Sequence, residues 1–442
     1  MANKETKGYE KIVSLFEPGT FAELGAHLRR RDENGELAEY DAVICGYGAI
    51  NSKLAFAFVQ DMSRTGGALD EVGAEKIRRL YEQAINNGAP VIGVFDSAGA
   101  SVYDGTSALA AYGKVMASVS AASGIVPQIA YVSGVCSGIS AMIAAMFDIT
   151  VTVADSAEIY MANGNKTEIT AVVAATEAEG SAKVRELIAL LPENNKATAD
   201  IAALDDPARA CNAKGLCGVE LVRAIADGGE MTQLYANANT EMVTALCRVG
   251  GRLVGVVATD ASVDGGKITS AGAKQAARLV KFCDSFNIPV VTLVDSLGVT
   301  DTDDGELATA CARLGALYMK ATTAKVTAVT GKAYGAAFLL LGSRALGADL
   351  VLATEGAEMG AMTPDRAVAF VWNDKITAEK SRADVEADWI EKYASADAAA
   401  AKGDIDDIVS PEELRARICS ALYMLAAKTD LTPAKKHLSM PL

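Results

Sequence analysis

Two patterns of apolar residues alternate along this chain of 442 residues, one periodic and one continuous. In one stretch they fall three and four positions apart, which predicts a helix with a single buried face. The buried positions of that helix are Ile77, Leu80, Tyr81 and Ala84. The run VIGVFD follows Pro90, and its first five residues are apolar, as in a strand covered on both faces. A turn, a second helix and the strand PQIAYVSG come next, and this order predicts an α/β fold with parallel strands.

The same succession occurs twice. Residues 66–99 align without a gap with residues 265–298, at a constant offset of 199, and 11 of the 34 positions are identical. The similarity continues downstream, where residues 129–140 match 326–337 and residues 156–161 match 356–361. Solenoid repeats have much shorter periods, so this pattern indicates a duplicated domain.

The duplication predicts two units of similar fold that superimpose around residues 66–165 and 265–362. The polar stretch 192–215 is the predicted join. We expect an N-terminal domain over 1–200 and a C-terminal domain over 201–442.

Composition and charge exclude several classes of protein. Half of the residues are apolar, which is enough for a large core, and the net charge of −15 leaves no basic face for nucleic acid. The eight cysteines form no CxxC pair and no Cys/His cluster, so we expect no metal site. Residues 115–147 carry no charge, but Pro127 and Gln128 interrupt them, which favours a buried core over a membrane span. With no signal-peptide pattern at the start, a cytoplasmic location is expected.

Side-chain acid–base chemistry has few candidates, because His27 and His437 are the only histidines. Backbone groups are the alternative. SGVCSGIS (133–140) and TGKAYGAAF (330–338) each run from a strand through small residues into a helix. The first N–H groups of a helix are unpaired and can stabilise an oxyanion. The loops DSAGAS (96–101) and DSLGVT (295–300) are expected at the same end of each sheet.

A family resemblance rests on several phrases that occur in order in both halves: GGALDEVGAEKI, PVIGVFDSAGA, SGIVPQIAYVSGVCSG, RLVGVVATD, NIPVVTLVD and GKAYGAAF. They resemble the β subunits of acyl-CoA carboxyltransferases, which serve propionyl-CoA-type carboxylases and biotin-dependent acyl-CoA decarboxylases. The resemblance implies two lobes of the duplicated crotonase-like (ClpP/crotonase) ββα spiral. It also implies transfer of CO2 between carboxybiotin and the α-carbon of an acyl-CoA, through an enolate held by backbone amides and without a protein base.

The resemblance implies a division of labour between the lobes. The thioester carbonyl is held in the N-terminal lobe by Gly138 and Ile139, and the biotin ureido oxygen in the C-terminal lobe by Ala336 and Ala337. The other implied contacts with CoA ester and biotin are Ala98, Gly99, Ala100, Gly134, Tyr334 and Gly335.

The implied partners are a biotin carboxyl carrier protein and either a biotin carboxylase or a membrane decarboxylase subunit. A homo-oligomer, a dimer or a trimer of dimers, is also expected. Biotin is expected on the separate carrier, because Met319-Lys320 lies in a helical run and not at a hairpin.

The sequence departs from the family pattern at two places. The family usually has DSGGAR and a glycine pair after the cysteine, where this chain has DSAGAS and Gly138-Ile139. These departures leave the acyl substrate and the direction of transfer open.

Other interpretations also remain open. A crotonase-type hydratase or isomerase is one, and a non-catalytic scaffold subunit of a carboxylase complex is another. Ser137 with Lys332 resembles the pair of Ser/Lys peptidases, but the surrounding motifs do not match. Cys136 is interpreted as a packed core residue and not as a nucleophile.

Overall fold

The computed structural model describes residues 5–29, 36–37, 41–101, 104–161, 166–202, 205–302 and 305–430. The chain divides into two compact units, Met1–Ala199 and Asp200–Leu442, here called the N-terminal unit and the C-terminal unit. The division lies within the polar stretch 192–215.

The N-terminal unit is one sheet with helices on both faces. Its helices are α1 (Lys7–Ser14), α2 (Glu71–Asn87), α3 (Thr106–Ala122), α4 (Ile139–Ala145) and α5 (Glu177–Leu190). Its strands are β1 (Ala22–Leu24), β2 (Val43–Ile50), β3 (Lys53–Gln60), β4 (Val91–Ser97), β5 (Gln128–Ser137), β6 (Ile149–Val153), β7 (Glu158–Tyr160) and β8 (Val172–Ala174). The strand order is β1-β2-β3-β4-β5-β6-β8, with β7 paired to the end of β5.

The C-terminal unit has the same organisation. Its helices are α6 (Gly218–Ile225), α7 (Ser270–Ser285), α8 (Leu307–Lys320), α9 (Ala336–Leu340), α10 (Pro364–Val371), α11 (Arg382–Trp389), α12 (Ala396–Ala400) and α13 (Leu414–Met424). Its strands are β9 (Met231–Leu234), β10 (Met242–Val249), β11 (Arg252–Thr259), β12 (Val290–Ser296), β13 (Lys325–Tyr334), β14 (Leu350–Thr354), β15 (Glu358–Gly360) and β16 (Asp407–Val409). The order β9-β10-β11-β12-β13-β14-β16, with β15 paired to β13, matches that of the first sheet.

The aligned repeat yields equivalent elements. Helix α2 begins at Glu71 and α7 at Ser270, and β4 begins at Val91 and β12 at Val290, each pair 199 residues apart. From β3 to β6 and from β11 to β14 the neighbouring strands are parallel, as the strand–helix–strand order predicts. The C-terminal unit adds α10, α11 and α12 between β15 and β16, where the sequence shows no repeat.

The N-terminal core lies between the sheet and helices α2 and α3. Alternate residues of β5, such as Ala130 and Val132, join this core, whereas Tyr131 faces α5 and donates its hydroxyl proton to the Glu177 carbonyl at 2.9 Å. Phe58 of β3, Phe95 of β4 and Phe147, just before β6, meet edge to face, with ring centroids 5.6 to 6.5 Å apart. All three rings lie within 3 Å of where a Cβ on Gly93 would stand, so the apolar run needs glycine there.

Candidate active site

A tight turn at Gly138 leads from the end of β5 into helix α4. Gly138 connects Ser137 to α4 with φ 59° and ψ −125°, a conformation that a residue with a Cβ adopts only at a cost. The N–H of Gly138 donates to the carbonyl of Tyr160 on β7, at 2.9 Å. Gly138 and Ile139 are the predicted pair of donors, and the N–H of Gly138 is therefore already hydrogen-bonded within the protein.

The open amides of this turn belong to the next two residues. Ile139 and Ser140 are the first residues of α4, and the first N–H groups of a helix have no carbonyl within it. Neither amide has a hydrogen-bond acceptor in the described parts of the chain. The candidate oxyanion donors are therefore Ile139, as predicted, and Ser140, one residue beyond the predicted pair.

The C-terminal unit repeats this turn. Gly335 has φ 57° and ψ −131°, and its N–H donates to the carbonyl of Gly360 on β15 at 2.8 Å. Helix α9 begins at Ala336, so its open amides are those of Ala336 and Ala337, the pair that the resemblance implies. Ala336 and Ala337 stand 197 residues after Ile139 and Ser140, which makes the two sets of donors equivalent.

The loop after β4 uses its own amides to hold its shape. The N–H of Ala98 donates to the Gly66 carbonyl at 2.9 Å, and the N–H of Gly99 donates to Ser97 Oγ at 3.1 Å. Ala100 pairs with Leu69 in an isolated parallel bridge. The structure therefore gives Ala98, Gly99 and Ala100 a role in shaping the rim of the turn, and it leaves the amides of Ala98 and Gly99 with no proton to donate to a ligand.

The side chains around the turns have structural partners. The Ser137 hydroxyl donates to the Ala98 carbonyl at 2.5 Å, which ties the loop to the end of β5. Tyr334 is buried and donates its hydroxyl proton to Glu358 at 2.5 Å, and burial raises the pKa of that phenol well above its usual value. Burial also raises the pKa of the Cys136 thiol to about 12, as expected of a packed core residue.

Sequence reasoning missed one carboxylate in each unit. Asp96 Oδ1 accepts the N–H of Val135 at 3.3 Å, and a Cβ on Gly134 would stand 2.2 Å from the same oxygen. In the C-terminal unit Asp295 Oδ1 accepts the N–H of Lys332 at 2.8 Å. A Cβ on Gly331 would stand 2.4 Å from Asp295. These contacts fix the strand just before each turn, so the close approach of the carboxylate explains the repeated glycine.

Each unit has a large concave surface, and in the C-terminal unit this surface includes the glycine of the turn. In the C-terminal unit a pocket of about 590 Å³ begins at Gly335 and is mainly apolar. Its apolar lining is Phe338, Met359, Met362, Phe370, Val371, Trp389 and Tyr393. In the N-terminal unit a polar cleft of about 960 Å³ lies over Asp96, between α1 and α5.

The described residues contain no group of three or more His, Cys, Asp and Glu side chains arranged to hold a metal ion. They also contain no helix that is long and apolar enough to cross a membrane. His27 is exposed, and His437 lies outside the described residues.

The Carboxyl transferase domain matches residues 4–167 and 164–440, nearly the whole chain. The chain belongs to the carboxyl transferase family. Within this family, the alpha subunit of methylmalonyl-CoA decarboxylase from Propionigenium modestum is 31% identical to it, over 98% of this chain and 92% of the relative. The mitochondrial propionyl-CoA carboxylase beta chain of Rattus norvegicus is 32% identical, over 98% of this chain and 87% of its own length.

A crystal structure of transcarboxylase 12S, a hexamer with methylmalonyl-CoA and methylmalonic acid bound, has the same fold. The superposition includes 100% of this chain and 93% of the transcarboxylase chain, with a TM-score of 0.93 and 29% sequence identity. The predicted carboxyltransferase family, its enzyme class and the duplicated crotonase-like α/β fold are therefore confirmed.

Proposed function

We propose that this carboxyltransferase moves a carboxyl group between carboxybiotin on a separate carrier protein and the α-carbon of a short acyl-CoA. The observation that carries the proposal is the pair of equivalent turns. Each turn has two backbone amides at the start of a helix for which the described chain supplies no acceptor, and each turn belongs to a different unit. Two acceptors must be polarised in the reaction, a thioester carbonyl and a ureido carbonyl, and the duplicated turn supplies one pair of donors for each.

The N-terminal turn is assigned to the thioester. As the α-proton leaves the acyl group, negative charge develops on the thioester oxygen, and the amides of Ile139 and Ser140 stabilise that charge. Fixed backbone donors need little reorganisation during the reaction, and one such donor is commonly worth about 10²–10³ in turnover. The Ile139 side chain is partly buried and packs against the core of the N-terminal unit.

The C-terminal turn is assigned to biotin. The amides of Ala336 and Ala337 would hold the ureido oxygen, and the apolar pocket beside Gly335 suits the sulfur-containing ring and the aliphatic arm. Carboxybiotin, when bound, supplies both the carboxyl group and the base for the α-proton. The chain then has to bind and orient the two substrates, which agrees with the lack of a histidine at either turn.

The relatives suggest the first substrates to test and the partners to seek. One relative is named for methylmalonyl-CoA and another for propionyl-CoA, the two sides of one carboxylation. We propose this substrate pair, a biotin carboxyl carrier protein as partner, and an oligomer like the transcarboxylase hexamer. A biotin carboxylase partner would drive carboxylation, and a membrane decarboxylase subunit would drive decarboxylation. A cytoplasmic location stays a prediction.

The test is transfer to free biotin. The purified chain is incubated with methylmalonyl-CoA and biotin, and propionyl-CoA and carboxybiotin are measured, with heat-denatured protein and omission of biotin as controls. Biotin-dependent formation of propionyl-CoA is expected. A hydratase or isomerase would instead convert enoyl-CoA without biotin, and a scaffold subunit would do neither. Either of those results would refute the proposal.

A further inference from the structure

Lys11 of helix α1 forms ion pairs with two carboxylates in the N-terminal cleft. Its Nζ lies 2.9 Å from Asp96 Oδ2 and 3.3 Å from Glu177 Oε1, and the Lys11 side chain is 13% exposed. Glu177 is half exposed, so water screens it more than it screens Asp96. The main effect of the Lys11 charge is therefore on Asp96.

Asp96 connects this ion pair to the thioester turn. Its other oxygen, Oδ1, accepts the N–H of Val135 at 3.3 Å, and Gly134 leaves the space that this carboxylate occupies. Val135 lies on β5, three residues before Gly138, which follows the end of that strand. A negative charge therefore contacts the last part of β5, which leads into the turn that carries the amides of Ile139 and Ser140.

The C-terminal unit has the carboxylate without the lysine. Asp295 contacts the N–H of Lys332 and the backbone of Gly331 in the same way. In the described part of the chain no lysine, arginine or histidine forms an ion pair with Asp295. A carboxylate without an ion-pair partner therefore accompanies a turn of this kind in the C-terminal unit, so the turn geometry does not require the lysine.

We propose that Lys11 is a positioning residue of the thioester turn, which neutralises and orients Asp96 so that its charge does not oppose the enolate. This inference rests on the proposed function and extends it to a residue that touches neither substrate. The physical reason is electrostatic: an unpaired carboxylate on the backbone that leads into an oxyanion site opposes the negative charge that develops there. A lysine bound to that carboxylate removes the repulsion.

The experiment is a double-mutant cycle on the transfer assay with methylmalonyl-CoA and free biotin. Lys11→Met should lower kcat roughly tenfold, while KM for biotin stays within about twofold. Lys11→Arg should retain most of the activity. Asp96→Asn keeps an oxygen for the Val135 N–H, so adding it to Lys11→Met should restore most of the lost kcat. Lys114→Met removes an exposed ion pair with Glu71 in the same unit and should change nothing.

The outcomes separate the alternatives. A folded Lys11→Met variant with unchanged kcat, or a double variant as slow as Lys11→Met, would overturn the inference. A lower melting temperature with unchanged kcat would mean that Lys11 only docks α1, which also overturns it. Lys11→Gln is the second variant if methionine prevents folding. A wild-type chain that transfers no carboxyl group would refute the proposed function itself, which is a different result.

Discussion

One buried position of the repeat is occupied by a charged residue in the N-terminal unit and by a neutral residue in the C-terminal unit. Lys76 on α2 donates to the Val43 carbonyl and lies 2.6 Å from Asp41, with both side chains buried. The residue 199 positions later, Gln275, donates to the Met242 carbonyl at 3.0 Å and accepts the hydroxyl of Thr240 at 3.0 Å. The duplicated site is therefore bridged by an ion pair in one copy and by neutral hydrogen bonds in the other.

This pair predicts a compensating substitution. Lys76→Gln alone should destabilise the N-terminal unit by about 3–5 kcal/mol, because Asp41 remains buried without its counter-charge. The double variant Lys76→Gln with Asp41→Thr copies the C-terminal site and should recover most of that loss. Calorimetric melting of the full chain measures both. If the double variant melts no higher than Lys76→Gln, the two sites are not interchangeable.

Ile139 offers the most direct test of a backbone donor. Ile139→Pro deletes the amide proton at the first position of α4, where proline is tolerated structurally. Carboxyl transfer should fall by about two to three orders of magnitude, whereas Ile139→Ala keeps the amide and should keep turnover.

The repeat provides a matched variant for the biotin side. Ala336→Pro deletes the equivalent amide of the C-terminal turn, so it should impair the response to biotin more than the response to the CoA ester. Melting curves check that each variant folds. Undiminished transfer by a folded Ile139→Pro variant would return the N-terminal turn to a purely structural role.

At the scale of elements, the glycine that the two copies share lies against an aspartate in each unit. This close contact predicts that any larger residue at the glycine position is poorly tolerated. Gly134→Ala would place a Cβ 2.2 Å from Asp96 Oδ1, a distance that forces the carboxylate or the strand to move. We expect a lower melting temperature and a loss of transfer activity of about tenfold or more. Gly113→Ala is the control, because Gly113 lies exposed on α3 with open space around its Cβ position. That change should be neutral or stabilising by up to about 1 kcal/mol. A wild-type rate for folded Gly134→Ala would contradict the role given to this contact.

The elements show how far the sequence could lead. The ungapped match of residues 66–99 with 265–298 predicts α2, β4, α7 and β12, because local spacing and a shared ancestor both act within a short segment. The occupied amide of Gly138 could not be predicted in this way. Its acceptor, Tyr160, is 22 residues away and pairs with β5 only through the tertiary fold.

The contact of Lys11 with Asp96 was equally hidden, because it joins residues 85 positions apart in the chain. A signal did exist for the aspartates, however. Asp96 and Asp295 are among the identities of the repeat, and so are Gly134 and Gly331 in the segment downstream. A carboxylate and a distant glycine that are both retained in two copies indicate a close contact. The family resemblance concerns the residues beside them, so it did not predict this contact.

At the scale of the whole molecule, each unit has a core of its own and carries its own reporters. Cys45 and Cys136 lie in the N-terminal core, and Cys247 lies in the core of the C-terminal unit. The only two tryptophans, Trp372 and Trp389, meet edge to face in the C-terminal unit with ring centroids 4.9 Å apart. Thiol reactivity can therefore follow either unit, whereas tryptophan emission follows the C-terminal unit alone.

These reporters predict how the chain unfolds. Burial raises the pKa of Cys136 and of Cys247 to about 12, so at pH 8 only about one thiol in ten thousand is ionised at each site in the folded state. Unfolding exposes both thiols and returns the pKa of each to about 8.5, where alkylation is fast.

Iodoacetamide labelling along a urea series, read by peptide mass spectrometry, should give Cys45 and Cys136 one common midpoint. The midpoint of Cys247 should coincide with the shift in tryptophan emission if the C-terminal unit opens cooperatively, because both lie in that unit. Partly exposed Cys311 is the control that should react without urea. Labelling of Cys136 in the native protein, or well-separated midpoints for Cys45 and Cys136, would mean that the N-terminal core does not open as one unit.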